Sequence, residues 1–186
     1  MNNTLFENIK TTQAANFLDI PTDCPQRDER LGWTGDAQVF ARSATYNADV
    51  ASFFTKFCID LDDAQRWYGA YPNFAPFPFS RPGQYSPAWM DAGIIIPYTM
   101  MQVYNDTRIV EYMYEGMQKF MEFQEKASTD YLRPGAGKNW GDWLAVNEKT
   151  SHDFIASAYY GYDAKLMAEM AMAIGKTEDA KKYSQD

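Results

Sequence analysis

The stretch VASFFTKFCIDLDDA, residues 50–64, sets Val50, Phe53, Phe54, Phe57, Leu61 and Ala64 on one stripe. That spacing follows a 3.6-residue turn and not a strand's alternation, so it predicts a helix that ends near Trp67-Tyr68-Gly69. The pattern repeats outward in both directions. Toward the N-terminus, a helix opening at Thr34 or Asp36 carries Val39, Phe40 and Ala44 as far as Asn47. Before it, Leu5, Ile9 and Phe17 give residues 4–17 helical spacing that closes at Ile20-Pro21, because the residue before a proline avoids helical angles. Toward the C-terminus, a helix resumes near Ala92 and runs to Tyr104, with Pro97 placed near the first turn, where a missing N–H costs least. Asn105-Asp106-Thr107 reads as a turn and N-cap for a helix bearing Ile109, Met113, Met117 and Phe120. A last long helix begins near Ser151, capped by Thr150 or Ser151, carries Leu166, Met167, Met170 and Ile174, and stops at Gly175; Thr177 caps a further segment. No stretch alternates long enough to predict a strand.

The joints between these helices alternate in length. They are short at Asn47, Asn105-Asp106 and Gly175-Lys176, and long at 19–33, 69–91 and 128–149, where Trp, Gly, Pro and Asp collect. In the second long joint, prolines at 72, 76, 78, 82 and 87 exclude both a helix and a central strand. In a ring or solenoid of antiparallel helix pairs, alternate joints lie at opposite ends, so the long loops are expected on one face, which becomes the candidate site.

Composition narrows the partners. The 186 residues are 46% hydrophobic, 23% charged and 16% aromatic, a globular balance at a length that buries roughly 70% of the unfolded surface. Seventeen basic against twenty-five acidic residues leave a net charge of -8, the wrong sign for a nucleic acid partner. The longest apolar run, 93–97, is far short of the roughly 20 residues that cross a bilayer, so no membrane partner is expected, and no export signal is visible. The compartment is left open between cytoplasm, periplasm and exterior. Two cysteines, Cys24 and Cys58, and one histidine, His152, cannot build a zinc site or a disulfide framework, and neither a metal nor a cofactor is expected. His152 and the methionines at 113, 117, 167, 170 and 172 read as structure. Gly135, Gly137 and Gly141 do not form a phosphate loop, since no GK[ST] follows them.

The densest chemistry lies in TDCPQRDERLGWTGD, residues 22–36, where Asp23, Asp28, Glu29 and Asp36 crowd around Arg27, Arg30 and Trp33. Crowded carboxylates repel and burial against an indole disfavours the charged form, so one acid can hold a proton near neutral pH while its neighbours grip hydroxyls. The same residues would also serve as a solvated ion-pair patch with a helix cap. Trp89 with Asp91, in SPAWMDAG (86–93), and Trp140 with Asp142 and Trp143, in KNWGDWLAV (138–146), repeat the pairing of an indole with a carboxylate. That pairing suits a sugar, whose C–H face lies on the ring while its hydroxyls donate to the acid.

The run DCPQRDERLGWTGD resembles the signature of the bacterial α-L-rhamnosidase catalytic domain, glycoside hydrolase family 78, and the likeness continues through SPAWMDAG and NWGDWLAV in the same order. The resemblance implies an all-α fold, part of an (α/α)6 toroid amounting to about half of the ring, and hydrolysis of terminal L-rhamnosyl units with inversion. It gives Glu29 the role of general acid, because its spacing to Trp33 and Asp36 fits the family pattern, with Asp28 a close rival that physical reasoning alone does not separate. It makes Asp23, Arg27, Trp33, Asp36, Trp89 and Trp140 sugar-binding, with Asp91 and Asp142 as further polar contacts. Inversion needs a second carboxylate roughly 6.5–9.5 Å from the acid, and the family's base glutamate matches no residue of this chain. Residues 1–186 are therefore expected to be a single partial catalytic domain, inactive alone and prone to pair as a homo-oligomer through uncovered apolar faces. Two alternatives stand beside this reading: another (α/α)6 glycosidase, and a helical domain that binds carbohydrate without cleaving it.

Overall fold

The computed structural model describes residues 2–78, 85–135 and 140–184. Over these residues the chain forms seven helices: α1 Asn2–Asn16, α2 Thr34–Asn47, α3 Ala51–Asp63, α4 Ala92–Tyr104, α5 Arg108–Lys126, α6 His152–Ala173 and α7 Thr177–Tyr183. Apart from isolated bridges at Phe17–Pro21, Trp33–Phe74 and Thr129–Leu132, no strand occurs among them. Pro82 and Gly137 lie outside the described residues.

The stripe read in residues 50–64 is the buried face of α3, where Phe54, Phe57 and Leu61 have no exposed surface. α4 is apolar nearly all round, AGIIIPYTMMQVY, which is the composition of a helix covered on every side. It packs against α2, α3, α5 and α6 and so forms the centre of the molecule. Alternate helices are neighbours: α2 with α4, α4 with α6, and α3 with α5, so the helices fall into two tiers. The core between them is filled by Ile94 and Ile96 of α4, Met113, Met117 and Phe120 of α5, and Leu166, Met167 and Met170 of α6. Met172, expected in this core, lies on the outer side of α6 and is 57% exposed.

Several local details differ from the sequence reading. Pro97 stands in the second turn of α4 instead of the first; the residue four positions before it is Gly93, which presses directly on the Tyr71 ring. Thr34 is the first residue of α2, not a side-chain cap, and its hydroxyl donates to the Asn73 carbonyl at 2.9 Å. Ser151 occupies the N-cap of α6 without a side-chain hydrogen bond, and Lys176 precedes the first residue of α7, Thr177. At Thr34 a tertiary contact replaces the local bond that sequence alone suggests.

The three long connections meet at one end, above the N-termini of α2, α4 and α6. Thr34 N–H donates to Asn73 O at 2.9 Å, Ala75 N–H to Gly32 O at 3.0 Å, and Trp140 N–H to the Ser86 hydroxyl at 3.0 Å, stitching all three loops together. No helix among the described residues is long and apolar enough to cross a membrane.

Candidate functional site

The stitched loops bring four indoles into a chain. Trp33, at the N-cap of α2, meets Trp140 edge to face at 6.0 Å; Trp140 meets Trp89 at 6.4 Å and Trp143 at 5.3 Å. Below this chain lies a cavity of about 750 Å³, the size of a small-molecule site. Its walls include Asp23, Asp36, Trp89, Trp143 and Tyr159, with Gly35 and Gly141 thinning the wall behind the indoles. The outer side is closed by Leu5, Ile9 and Phe17 of the N-terminal segment and by Val39 and Phe40 of α2.

Each acid has its own surroundings. Asp23 follows the helix-closing Ile20-Pro21 and is fixed by its N–H to Leu31 O at 3.3 Å; its Oδ1 is buried and has no hydrogen-bond partner among the described residues. The adjoining Asp23 side chain pushes the Cys24 thiol above its ordinary value. Asp36 stands in the first turn of α2, and partial burial, followed by the charge of Asp23, raises its carboxyl. Asp23 and Asp36 are thus two neighbouring acids on one wall with acceptor oxygens to offer.

Glu29 and Arg27 lie on the exposed tip of the same loop, paired loosely at 3.8 Å, and Asp28 is exposed beside them. None of the three is on the cavity wall. The tip is an open turn, with Arg30 in a left-handed conformation at φ 45°. Asp91 is fully buried and faces away from the cavity: its Oδ2 accepts the Ala88 N–H at 2.6 Å and ties the turn that carries Trp89. Asp142 accepts the Thr150 N–H at 2.7 Å, the bond that chiefly lowers its carboxyl, and so closes the 142–150 loop. Trp143 and Tyr159 also reach the wall. Trp143 was visible in the KNWGDWLAV motif, whereas nothing marks Tyr159 among the tyrosines of α6. No cluster of three metal-ligating side chains occurs among the described residues.

Comparison with known proteins places this arrangement. The family model for the bacterial alpha-L-rhamnosidase 6 hairpin glycosidase domain matches residues 1–186. An alpha-L-rhamnosidase of Streptomyces avermitilis is 42% identical over 184 residues, covering 99% of this chain and 17% of its own length. One from Formosa agariphila is 37% identical over 188 residues, covering 97% of this chain and 20% of its own. Among solved structures, that of the Streptomyces avermitilis alpha-L-rhamnosidase complexed with L-rhamnose superposes with a TM-score of 0.91 at 42% identity, over 98% of this chain and 17% of that one. The alpha-L-rhamnosidase from Dictyoglumus thermophilum superposes at 0.89 with 35% identity, over 98% of this chain and 21% of that one. The chain thus spans about a fifth of the length of the relatives it matches. Its seven helices are an arc of the (α/α)6 six-hairpin fold, and the chain belongs to the bacterial alpha-L-rhamnosidase six-hairpin glycosidase domain family.

Proposed function

We propose that this chain forms the sugar-binding wall, and supplies the general acid, of a glycosidase acting on terminal α-L-rhamnosyl units. The observation that carries the reading is the joint lining of one cavity by the acid pair Asp23 and Asp36 and by the indoles Trp89 and Trp143. Ionised carboxylates accept sugar hydroxyls, and an indole face packs the C–H face of the ring. The Streptomyces avermitilis relative, whose structure is a complex with L-rhamnose, supports L-rhamnose as the ligand. Glu29 would protonate the departing glycosidic oxygen, and Arg27 would hold that acid in place. Trp33 and Trp140 back the stacking rings, and Asp91 and Asp142 act by holding their loops. An inverting reaction also needs a base activating water from the opposite side of the sugar, which the family resemblance assigns to a later part of the ring. On this reading residues 1–186 form one partial catalytic domain.

Titration with L-rhamnose is expected to shift tryptophan emission in a saturable way, with D-glucose as the control. Trp89→Ala should weaken the response by about tenfold or more, the loss of one well-stacked ring. An unchanged spectrum at saturating L-rhamnose would remove the reading. A second reading, sugar capture without cleavage, is favoured by the position of Glu29 away from the cavity wall. Hydrolysis of an aryl α-L-rhamnoside by the longer enzyme, abolished by Glu29→Gln, decides between the two.

Self-association is the remaining part of the proposal. Leu5 and Phe6 of α1 and Phe154 of α6 are 62%, 46% and 67% exposed, apolar side chains that a second copy would cover. Sedimentation at rising concentration should therefore detect a dimer or larger species, and Leu5→Lys with Phe6→Lys should reduce it.

A further inference from the structure

Behind the indoles lies a second group of acids that the sugar reading does not use. Asp91, in the turn before α4, and Asp163, in α6, are separated by 71 intervening residues yet both have no exposed surface. Asp91 Oδ2 accepts the Ala88 N–H at 2.6 Å, and Asp163 Oδ2 accepts the Gln124 amide N–H of α5 at 2.7 Å. The other oxygens, Asp91 Oδ1 and Asp163 Oδ1, are buried and receive no N–H or hydroxyl donor among the described residues. α4 and α6 pack against each other, and each of the two carboxyls acts on the other by charge and by a side-chain hydrogen bond, which two carboxyl groups can make only if one of them carries a proton. The charge balance agrees. Arg133 is 4% exposed and is the buried cation next to the pair, so one proton on two carboxyl groups leaves the cluster neutral, the state that burial favours.

We propose that Asp91 and Asp163 share one proton in a buried carboxyl–carboxylate hydrogen bond, and that Asp163 is thereby a positioning residue for the Trp89 wall. The chain of contacts is short. Asp163 anchors Asp91; Asp91 holds the Ala88 N–H; Ala88, left-handed at φ 69°, presents its carbonyl to the Gln38 amide at 2.5 Å; and Trp89 follows, lying flat against Gly35. Ser86, at the start of the same turn, receives Trp140 N–H, so both rings depend on this turn. The groups facing the pair are Gln124 from α5, Arg133 from the loop after it and Tyr159 from α6, and Tyr85 and Tyr160 face Arg133. Tyr159, itself on the cavity wall, senses the charge of both acids. A second proton would uncouple Asp91 from Arg133, and loss of the shared one would set two buried negative charges against one positive.

The consequence for sugar binding rests on the rhamnoside reading, but the test does not need a sugar. In the 186-residue chain at about pH 8, where ordinary carboxyls are fully ionised, infrared spectroscopy should show a protonated-carboxyl carbonyl band that disappears in Asp163→Asn. The introduced amide would donate its N–H to Asp91, so that variant should keep the wild-type near-ultraviolet circular dichroism of the packed indoles. Asp163→Ala, which removes the donor, should lose most of that signal while retaining its far-ultraviolet helix spectrum. Absence of the band in the wild-type chain, or an equal loss of indole signal in the Asn and Ala variants, overturns the proposal. If the Ala variant does not fold, the infrared band and the Asn variant still decide it. Absence of any L-rhamnose response together with a retained band would instead remove the sugar reading and leave the proton pair standing.

Discussion

Gly35 faces the Trp89 indole so closely that a Cβ there would lie 2.6 Å from Nε1 and 2.7 Å from Cε2. The flat contact between the α2 backbone and the ring sets where that wall of the cavity stands. Gly35→Ala must push the indole outward or bend the start of α2, at a cost of about 1–3 kcal/mol as for other overpacked sites. Its melting temperature should fall, and L-rhamnose affinity should fall with it; an unchanged affinity would mean that Trp89 does not contact the ligand. Asp36, one residue on, is raised by burial first and by Asp23 second. Binding that uses its ionised form should therefore weaken at a higher pH than an ordinary carboxylate would dictate. Residue by residue, the expected sugar contacts Asp23, Asp36 and Trp89 line the cavity, while Arg27, Glu29, Trp33, Asp91, Trp140 and Asp142 do not, because an acid or an indole in a long loop serves equally well to tie the loop down. The sequence motif did not reveal that Asp91 is turned inward, since its partner Asp163 comes 72 positions later and no local signal joins them.

At the scale of elements, helical periodicity together with its Pro, Gly and Asn breaks located α1 to α6, because α3, α5 and α6 bury one continuous stripe, whereas α7 was legible only as a further segment opening at Thr177. What periodicity cannot supply is the attachment of a helix whose contacts lie at its ends. α1 is such a case. Its last turn is held by Gln13, whose amide donates to Ala44 O at 3.3 Å and whose Oε1 accepts the Asn47 amide at 2.7 Å. Phe17, just past it, stacks on Phe53 at 4.5 Å and meets Phe54 and Phe40 edge-on at 5.7 and 6.1 Å. The rest of α1 stands over the cavity with Leu5 and Ile9 facing it. Phe17→Ala should release this helix, costing about 2–3 kcal/mol, somewhat less than a fully buried ring because Phe17 is half-buried. Hydrogen exchange of the α1 amides should then approach that of free peptide while α3 and α5 stay protected.

For the whole molecule, the acid groups set opposing trends with pH. Asp163 is held well above its ordinary 3.8, by burial first and then by the charge of Asp91. A raised carboxyl takes up a proton on folding, so its contribution to stability is complete below the unfolded value and is lost as pH rises through the native one. Asp142 is lowered, chiefly by the Thr150 N–H, so its contribution is present above the unfolded value and lost as pH falls through the native one. Chemical denaturation across pH should therefore find Asp163→Asn flattening the decline in stability as pH rises above the ordinary carboxyl range, and Asp142→Asn flattening the decline as pH falls through that range. The gathering of three long loops on one end was legible from joint length alone. The cavity beneath them was not, because its outer wall is built from apolar residues that look like ordinary core. Those three loops leave the far end to the connections at 48–50, 105–107 and 174–176. That quiet pole offers a place to attach a dye, an affinity handle or a surface tether, and a probe anchored there would report on the cavity end without standing in its way.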